Sequence, residues 1–169
     1  MSETIINSWN VPDFTRTVNK IGSGGDADVF KVGEKVLKEY RTLPLAKGKL
    51  YQEATQAAMP IVAAFTTNTD FGLIRYRLNP ILEFFEGTDV EKVYTVSRYI
   101  RVKHISKSSK FYLPWLKDLG KLSLTIMKET GFKGISITPF INTAEFLNKD
   151  GMLCVITDIC EKVRILTKS

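Results

Sequence analysis

The chain has little of what marks several large classes of protein. It has only two cysteines in 169 residues, too few for the disulfide framework of a small secreted domain. Its single histidine, His104, has no cysteine or carboxylate cluster beside it, so we predict neither a histidine metal site nor a histidine base. No run approaches the ~18 apolar residues that span a bilayer, and the first residues lack a signal-peptide pattern. We therefore expect a reduced, cytoplasmic protein without a membrane anchor.

What is present is an ordinary globular composition with an excess of positive charge. Hydrophobic residues make up 44% and charged residues 25% of the chain, as in soluble domains. The net charge of +6 favours phosphate groups or acidic partners. Basic side chains crowd one short stretch: Arg98, Arg101, Lys103, His104, Lys107 and Lys110. This basic stretch is interpreted as a solvated connector, with a nucleic-acid-binding surface as the alternative.

Residues 21–38 carry the most informative local pattern. Gly22 and Gly24 allow the chain to turn tightly, so that backbone N–H groups can approach an anion. Two β-branched and aromatic runs flank the turn at Gly33, which predicts a hairpin. A dinucleotide-binding fingerprint would continue into a helix, and a P-loop would need Lys followed by Ser or Thr. The pattern therefore excludes both a dinucleotide-binding fingerprint and a P-loop.

This pattern resembles the small lobe of the protein kinase family. In that family a glycine loop leads to a valine and, one hairpin later, to a lysine that contacts the phosphates of ATP. Here Val29 and Lys38 stand at those positions, and Ala27 replaces the third glycine. The resemblance also implies a glutamate on the next helix that holds the lysine, and Glu53 fits. The implied cofactor-binding residues are Gly22, Gly24, Ala27, Val29, Lys38 and Glu53.

The C-terminal part continues the resemblance. Apolar residues at helical spacing, from Trp115 to Ile126, predict a helix over about 114–130 with Gly131 as its cap. An Asp-Gly turn predicts a hairpin over about 145–157, and Asp158 follows it where the family has its metal-binding aspartate. The Ile-Thr-Asp ending is also similar to early protein kinases of bacteriophages.

The resemblance implies an α+β fold with two lobes. Residues 1–100 would form the N-lobe, an antiparallel sheet with the glycine loop, Lys38 and the Glu53 helix. Residues 101–169 would form a hinge and a truncated, minimal helical C-lobe. Within the N-lobe, a strand is expected near residues 15–18.

Finer boundaries follow from local signals in the N-lobe. Residues 41–48 are predicted as a loop, and Pro60 as the end of the Glu53 helix. Strands at 71–78 and 93–100 are expected to complete the antiparallel sheet. The segment 81–85 is consistent with either a strand or a helix.

The catalytic loop of the family has no counterpart here. Residues 134–147 contain no aspartate, and the two possible registers place Phe140 or Ile137 where the proton-accepting aspartate belongs. The first register puts Glu145 at the metal-binding asparagine, and the second puts Asn142 there. Glu145 is therefore either a Mg²⁺ ligand together with Asp158 or a surface residue at the start of a strand.

These features predict a regulatory pseudokinase that acts by binding a protein partner. An acidic surface on that partner would suit the positive charge of the chain. Lys38 and its neighbours would either bind ATP or persist as structure only. One alternative is a compact, active serine/threonine kinase or nucleotidyltransferase of phage type that uses ATP and Mg²⁺, with Asp158 as its catalytic residue. The other is a basic nucleic-acid-binding module. No membrane partner is expected.

Overall fold

The computed structural model describes residues 19–23, 27–40, 43, 45–86, 93–101, 103–139, 143–160 and 162–169. In chain order the elements are β1 (Asn19–Ser23), β2 (Ala27–Val32), β3 (Lys35–Tyr40), α1 (Leu45–Ala64), β4 (Thr66–Thr69), β5 (Gly72–Leu78), β6 (Ile81–Glu86), β7 (Val93–Arg98), α2 (Tyr112–Thr130), β8 (Phe132–Lys133), β9 (Thr143–Asn148), β10 (Gly151–Ile156) and β11 (Thr167–Lys168). A 3₁₀ turn at Val163–Ile165 precedes β11. The predicted α+β class is confirmed. The strand expected near residues 15–18 lies outside the described residues.

The first sheet is antiparallel, with the order β1-β2-β3-β7-β6. The predicted hairpin is present as β2 and β3, and Gly33 forms the turn with a φ of 59°, a left-handed conformation that glycine adopts without strain. The strand predicted at 93–100 is β7, which pairs with β3. The ambiguous segment 81–85 is β6 and forms the edge of this sheet.

The second sheet has the order β4-β5-β10-β9, and β5 runs parallel to β10. The prediction that residues 71–78 complete the first sheet is wrong. Ile74, Tyr76 and Leu78 of β5 are buried and lie beside the buried face of β10. The alternation that predicted a half-buried strand was correct, but it does not specify the partner strand.

The first residues of α1, 45–48, were predicted to belong to a loop over residues 41–48, and this prediction is wrong for them. The helix begins at Leu45, and Gly48 is its fourth residue. A Cβ at Gly48 would lie 2.4 Å from Cγ1 of Val93 and 3.0 Å from the Phe84 ring. Glycine is therefore present because the helix approaches the first sheet closely, whereas the sequence suggested a turn residue.

The C-terminal half of α1 continues through Pro60 and ends at Ala64, so Pro60 does not end the helix as predicted. Proline removes one backbone N–H, and the carbonyl left without a donor is that of Gln56. Gln56 and Pro60 are both exposed, so water can satisfy that carbonyl.

Replacing Gly48 by alanine is expected to lower the free energy of unfolding by about 1–2 kcal/mol. Overpacking beside a stiff, buried Val93 costs about 1–3 kcal/mol, and the better helix propensity of alanine offsets up to about 1 kcal/mol of this. Urea unfolding followed by circular dichroism measures the change. The matched control is Gly120→Ala in α2, where a Cβ meets no atom within 4 Å, and it should stabilise the protein. Stabilisation by both substitutions would contradict the close approach at Gly48.

The helix predicted at 114–130 is confirmed as α2. Its buried residues are Trp115, Asp118, Leu119, Leu122 and Ile126. Gly131 caps it with a φ of 81°, and its N–H donates to the Met127 carbonyl. The predicted hairpin is also confirmed as β9 and β10, joined by a turn at Lys149 and Asp150.

One hydrophobic cluster runs from Ala27 to Leu166. Helix α1 packs against β5, β6 and α2, and the second sheet takes strands from both sides of residue 100. The two predicted lobes therefore share a sheet and a core.

Candidate functional site

Lys38 lies in the middle of β3, with Val29 opposite it on β2 and Thr95 opposite it on β7. Directly paired residues project from the same face of an antiparallel sheet. Tyr40, two residues along, projects from this face as well. Its ring meets the ring of Tyr51 from α1 edge to face, with 6.1 Å between centroids. Lys38 thus stands on the face of the sheet that is packed by α1.

Asp158 brings together three segments that are distant in sequence. It follows β10 by two residues, and its Oδ2 accepts a hydrogen bond from Lys38 Nζ at 3.4 Å. Its Oδ1 accepts from the Tyr51 hydroxyl at 2.6 Å and from the Cys160 backbone N–H at 2.9 Å. The Lys38 side chain is 20% exposed and that of Asp158 is 14% exposed, so a ligand can still reach the pair.

The electrostatics of this site are dominated by burial and by the Asp158 carboxylate. Burial lowers the pKa of Lys38. The negative charge of Asp158, together with smaller contributions from Tyr40 and from the hydrogen bond to Asp158, outweighs burial, so the pKa of Lys38 is raised overall. The ammonium therefore stays charged at neutral pH. Burial and the negative charge of Asp158 raise the pKa of Tyr51 well above its usual range, so this phenol stays protonated and can donate.

The Tyr40 hydroxyl is the polar group of this site with the poorest hydrogen bonding. Burial raises the pKa of Tyr40 to about 12. Thr95 and Tyr51 lie close enough to lower that pKa slightly, but neither makes a hydrogen bond of regular geometry with the hydroxyl. A buried phenol of this kind carries a desolvation cost.

Glu53 does not take the position predicted for it. The carboxylate that pairs with Lys38 in the described structure is Asp158, and Glu53 is exposed. The buried face of α1 consists of Tyr51, Ala54, Thr55, Ala58 and Val62. Glu53 therefore lies outside the face of α1 that packs toward Lys38.

The glycine-loop residues are only partly described. Gly22 lies in β1 beside Val29, and a Cβ there would just touch the Val29 side chain at 4.0 Å. Gly24 lies outside the described residues. Ala27 is buried opposite Tyr40, and Val29 lies on the same face as Lys38. Of the predicted phosphate-binding set, the structure places Ala27, Val29 and Lys38 on one face.

Glu145 is buried on β9 opposite Cys154, and its backbone N–H donates to the Lys103 carbonyl. The surface-residue interpretation of Glu145 is therefore wrong, because its side chain lies inside the molecule.

A Mg²⁺ ion held jointly by Glu145 and Asp158 stays a prediction. Among the described residues, no three histidine, cysteine, aspartate or glutamate side chains are grouped to hold a metal ion. Of the alternatives for the catalytic loop, Phe140 and Asn142 lie outside the described residues, and Ile137 is a buried core residue. We derive no step that uses a metal ion.

Two polar residues of the interior were not identified from sequence. Tyr51 could have been recognised, because it forms a helical face with Ala54 and Ala58 at spacings of three and four residues. Asp118 lies within the apolar face of α2, is 2% exposed, and accepts a hydrogen bond from the Tyr76 hydroxyl. Burial, followed by the bond to Asp118, raises the pKa of Tyr76. No local signal pairs residues on different elements in this way.

The basic stretch lies at the surface. All six of its basic side chains are exposed: Arg98, Arg101, Lys103, His104, Lys107 and Lys110. Its aromatic residues are engaged with the protein, since Tyr99 lies under Lys31 at 4.1 Å and Tyr112 contacts Trp115. The stretch thus offers charge more readily than stacking surfaces.

Cys154 and Cys160 are both buried, and neither forms a disulfide within the described residues. Burial is the main cause that raises the pKa of the Cys154 thiol to about 12, so this thiol is unreactive at neutral pH. Neither helix in the described part of the chain is apolar over a length that could cross a bilayer. The sequence matches no protein-family model and no curated protein.

Proposed function

We propose that this protein is a kinase-like regulatory protein that binds a nucleotide at the Lys38–Asp158 site and transfers no phosphate. The observation that carries the proposal is the ion pair between Lys38, on the hairpin after the glycine loop, and Asp158, directly after the β9–β10 hairpin. The sequence resemblance assigns these two residues to opposite sides of a nucleotide cleft. Their contact supports that assignment, although 120 positions separate them in sequence.

The charge and accessibility of Lys38 support phosphate binding. Its raised pKa keeps the ammonium positive, and the half-buried Val29 opposite it offers an apolar contact for a base. A lysine ammonium has three donors, and Asp158 uses one of them. The remaining donors can bind phosphate oxygens.

Phosphate transfer is excluded from the proposal because residues 134–147 supply no aspartate to accept a proton. A protein that keeps the nucleotide site without this group acts by binding. The exposed basic stretch between Arg98 and Lys110 suits an acidic surface on a protein partner. Tyr99 and Tyr112 are half-buried and already in contact with Lys31 and Trp115, so single-stranded nucleic acid is a weaker candidate.

Thermal unfolding in the presence of ATP tests the nucleotide site. At about 100 times its dissociation constant, ATP should stabilise the protein by about 2.7 kcal/mol, which corresponds to a rise in Tm of about 5–10 °C for a chain of this size. Lys38→Ala should abolish the shift. The matched control is Lys35→Ala, on the same strand but facing the other way, and it should keep the shift.

Two results would contradict the proposal. If ATP does not stabilise the wild-type protein, the nucleotide site is absent and the ion pair is structural only. If radiolabelled ATP labels the protein and Asp158→Asn abolishes the labelling, the protein is an active phosphotransferase.

A further inference from the structure

The Asp158 carboxylate is already surrounded by donors from the protein. Oδ1 accepts two hydrogen bonds, from the Tyr51 hydroxyl and the Cys160 N–H, and Oδ2 accepts one from Lys38. Mg²⁺ binds carboxylate oxygens directly, at about 2.0–2.1 Å with near-octahedral geometry. The three donors occupy three of the roughly four lone-pair sites of a carboxylate, and the remaining site belongs to Oδ2, which already contacts the Lys38 ammonium. A divalent cation would therefore have to displace a donor or share Oδ2 with that positive charge.

Tyr51 is the donor that would be hardest to displace. Its hydroxyl lies 2.6 Å from Oδ1, in the range of strong hydrogen bonds to an ionised acceptor. The side chain is 3% exposed, and its ring is packed edge to face against Tyr40. Because α1 is anchored through its buried face, the Tyr51 hydroxyl is held toward Asp158 and cannot rotate freely to solvent.

Tyr51 also adds no negative charge. The neutral phenol binds Asp158 and leaves Lys38 as the charged group available to a ligand. The three donors also spread the charge of Asp158, which reduces its repulsion of a phosphate beside Lys38.

We propose that Tyr51 withholds Asp158 from divalent cations, so that this site holds a phosphate-bearing ligand through Lys38 without Mg²⁺. The inference rests on the proposed nucleotide site and specifies its metal requirement. Tyr51 is a positioning residue in this arrangement, since it acts through Asp158.

Isothermal titration calorimetry with ATP, in excess Mg²⁺ or in excess EDTA, tests this inference. Wild-type protein should bind ATP with affinities that differ less than threefold between the two conditions. Tyr51→Phe frees one lone pair of Asp158 and should bind ATP roughly tenfold more tightly with Mg²⁺ than with EDTA. The matched control is Tyr94→Phe, which removes another hydrogen bond from tyrosine to a carboxylate, that between Tyr94 and Glu39 at 3.0 Å. Tyr94 lies on the opposite face of the first sheet, so this variant should behave like the wild type.

Each alternative result has a distinct meaning. If wild-type protein binds ATP at least tenfold more tightly with Mg²⁺ than with EDTA, the inference is wrong, but the proposed nucleotide site is retained. If Tyr51→Phe shows the same affinity in both conditions, Tyr51 does not control access of the cation, and the inference is again wrong. If wild-type protein binds ATP in neither condition, the proposed function fails and the inference fails with it. The wild-type comparison needs no substitution, so the test holds even if Tyr51→Phe does not fold.

Discussion

Replacing Gly151 by alanine is expected to lower the free energy of unfolding by about 4 kcal/mol or more, at the extreme of single substitutions. A Cβ at this position would lie 2.0 Å from the carbonyl oxygen of Leu73 and 2.7 Å from its nitrogen. Gly151 also has a φ of 143°, in a region that is essentially restricted to glycine. The atoms in conflict are backbone atoms of the β5–β10 ladder, so a side-chain rotation cannot relieve the clash.

Gly33→Ala is the matched control for this prediction. Gly33 also has a positive φ, 59°, but a Cβ there meets no atom within 4 Å. The Gly33→Ala substitution should lower the free energy of unfolding by about 1–2 kcal/mol, which is the strain of a left-handed residue alone. Urea unfolding of the two variants, followed by circular dichroism, compares them. Equal losses would show that the parallel ladder tolerates a side chain at Gly151.

Replacing Tyr76 by phenylalanine is expected to destabilise the protein by about 2–4 kcal/mol, because it leaves a buried carboxylate without its donor. Asp118 is 2% exposed and accepts the Tyr76 hydrogen bond inside the core. This contact links α2 to β5, so its loss affects the packing of the helix on the second sheet. Equilibrium unfolding at neutral pH measures the loss.

A second substitution separates the loss of the hydrogen bond from a general loss of packing. Adding Asp118→Leu to Tyr76→Phe removes the unpaired charge, and replacing both partners by apolar groups can be nearly neutral. We therefore expect the double variant to recover most of the lost stability. A double variant as unstable as the sum of the two single ones would show that the pair is not coupled.

Local patterns predicted the elements whose stabilising contacts are close in sequence. The hairpin around Gly33 and the hairpin before Asp158 were predicted because turn residues separate two strand-like runs and specify the pairing. Helix α2 was predicted because Trp115, Leu119 and Ile126 repeat at helical spacing and Gly131 ends the run. In each case the period of the apolar residues and the chemistry of the turn are properties of a short segment.

The positions that were predicted wrongly depend on contacts between distant segments. Gly48 suggested a loop, but its lack of a side chain serves the contact of α1 with Val93. Pro60 suggested a helix end, but the helix continues to Ala64, and Gln56, whose carbonyl loses its donor, is exposed to water. The alternation at residues 71–78 indicated a strand, and only the parallel ladder with β10 decided its sheet.

The candidate site shows the same division. The amino-acid sequence by itself singled out Lys38 and Asp158 as candidates, because its resemblance to protein kinases places each of them beside a recognisable hairpin. It also determined that residues 134–147 hold no aspartate for proton transfer. Only the tertiary structure decided that Tyr51, and not Glu53, faces this pair, and that Glu145 is buried on β9. The rotation of α1 on the sheet sets the first of these choices. That rotation follows from the packing of Tyr51, Ala54 and Ala58 against the core, which no segment determines alone.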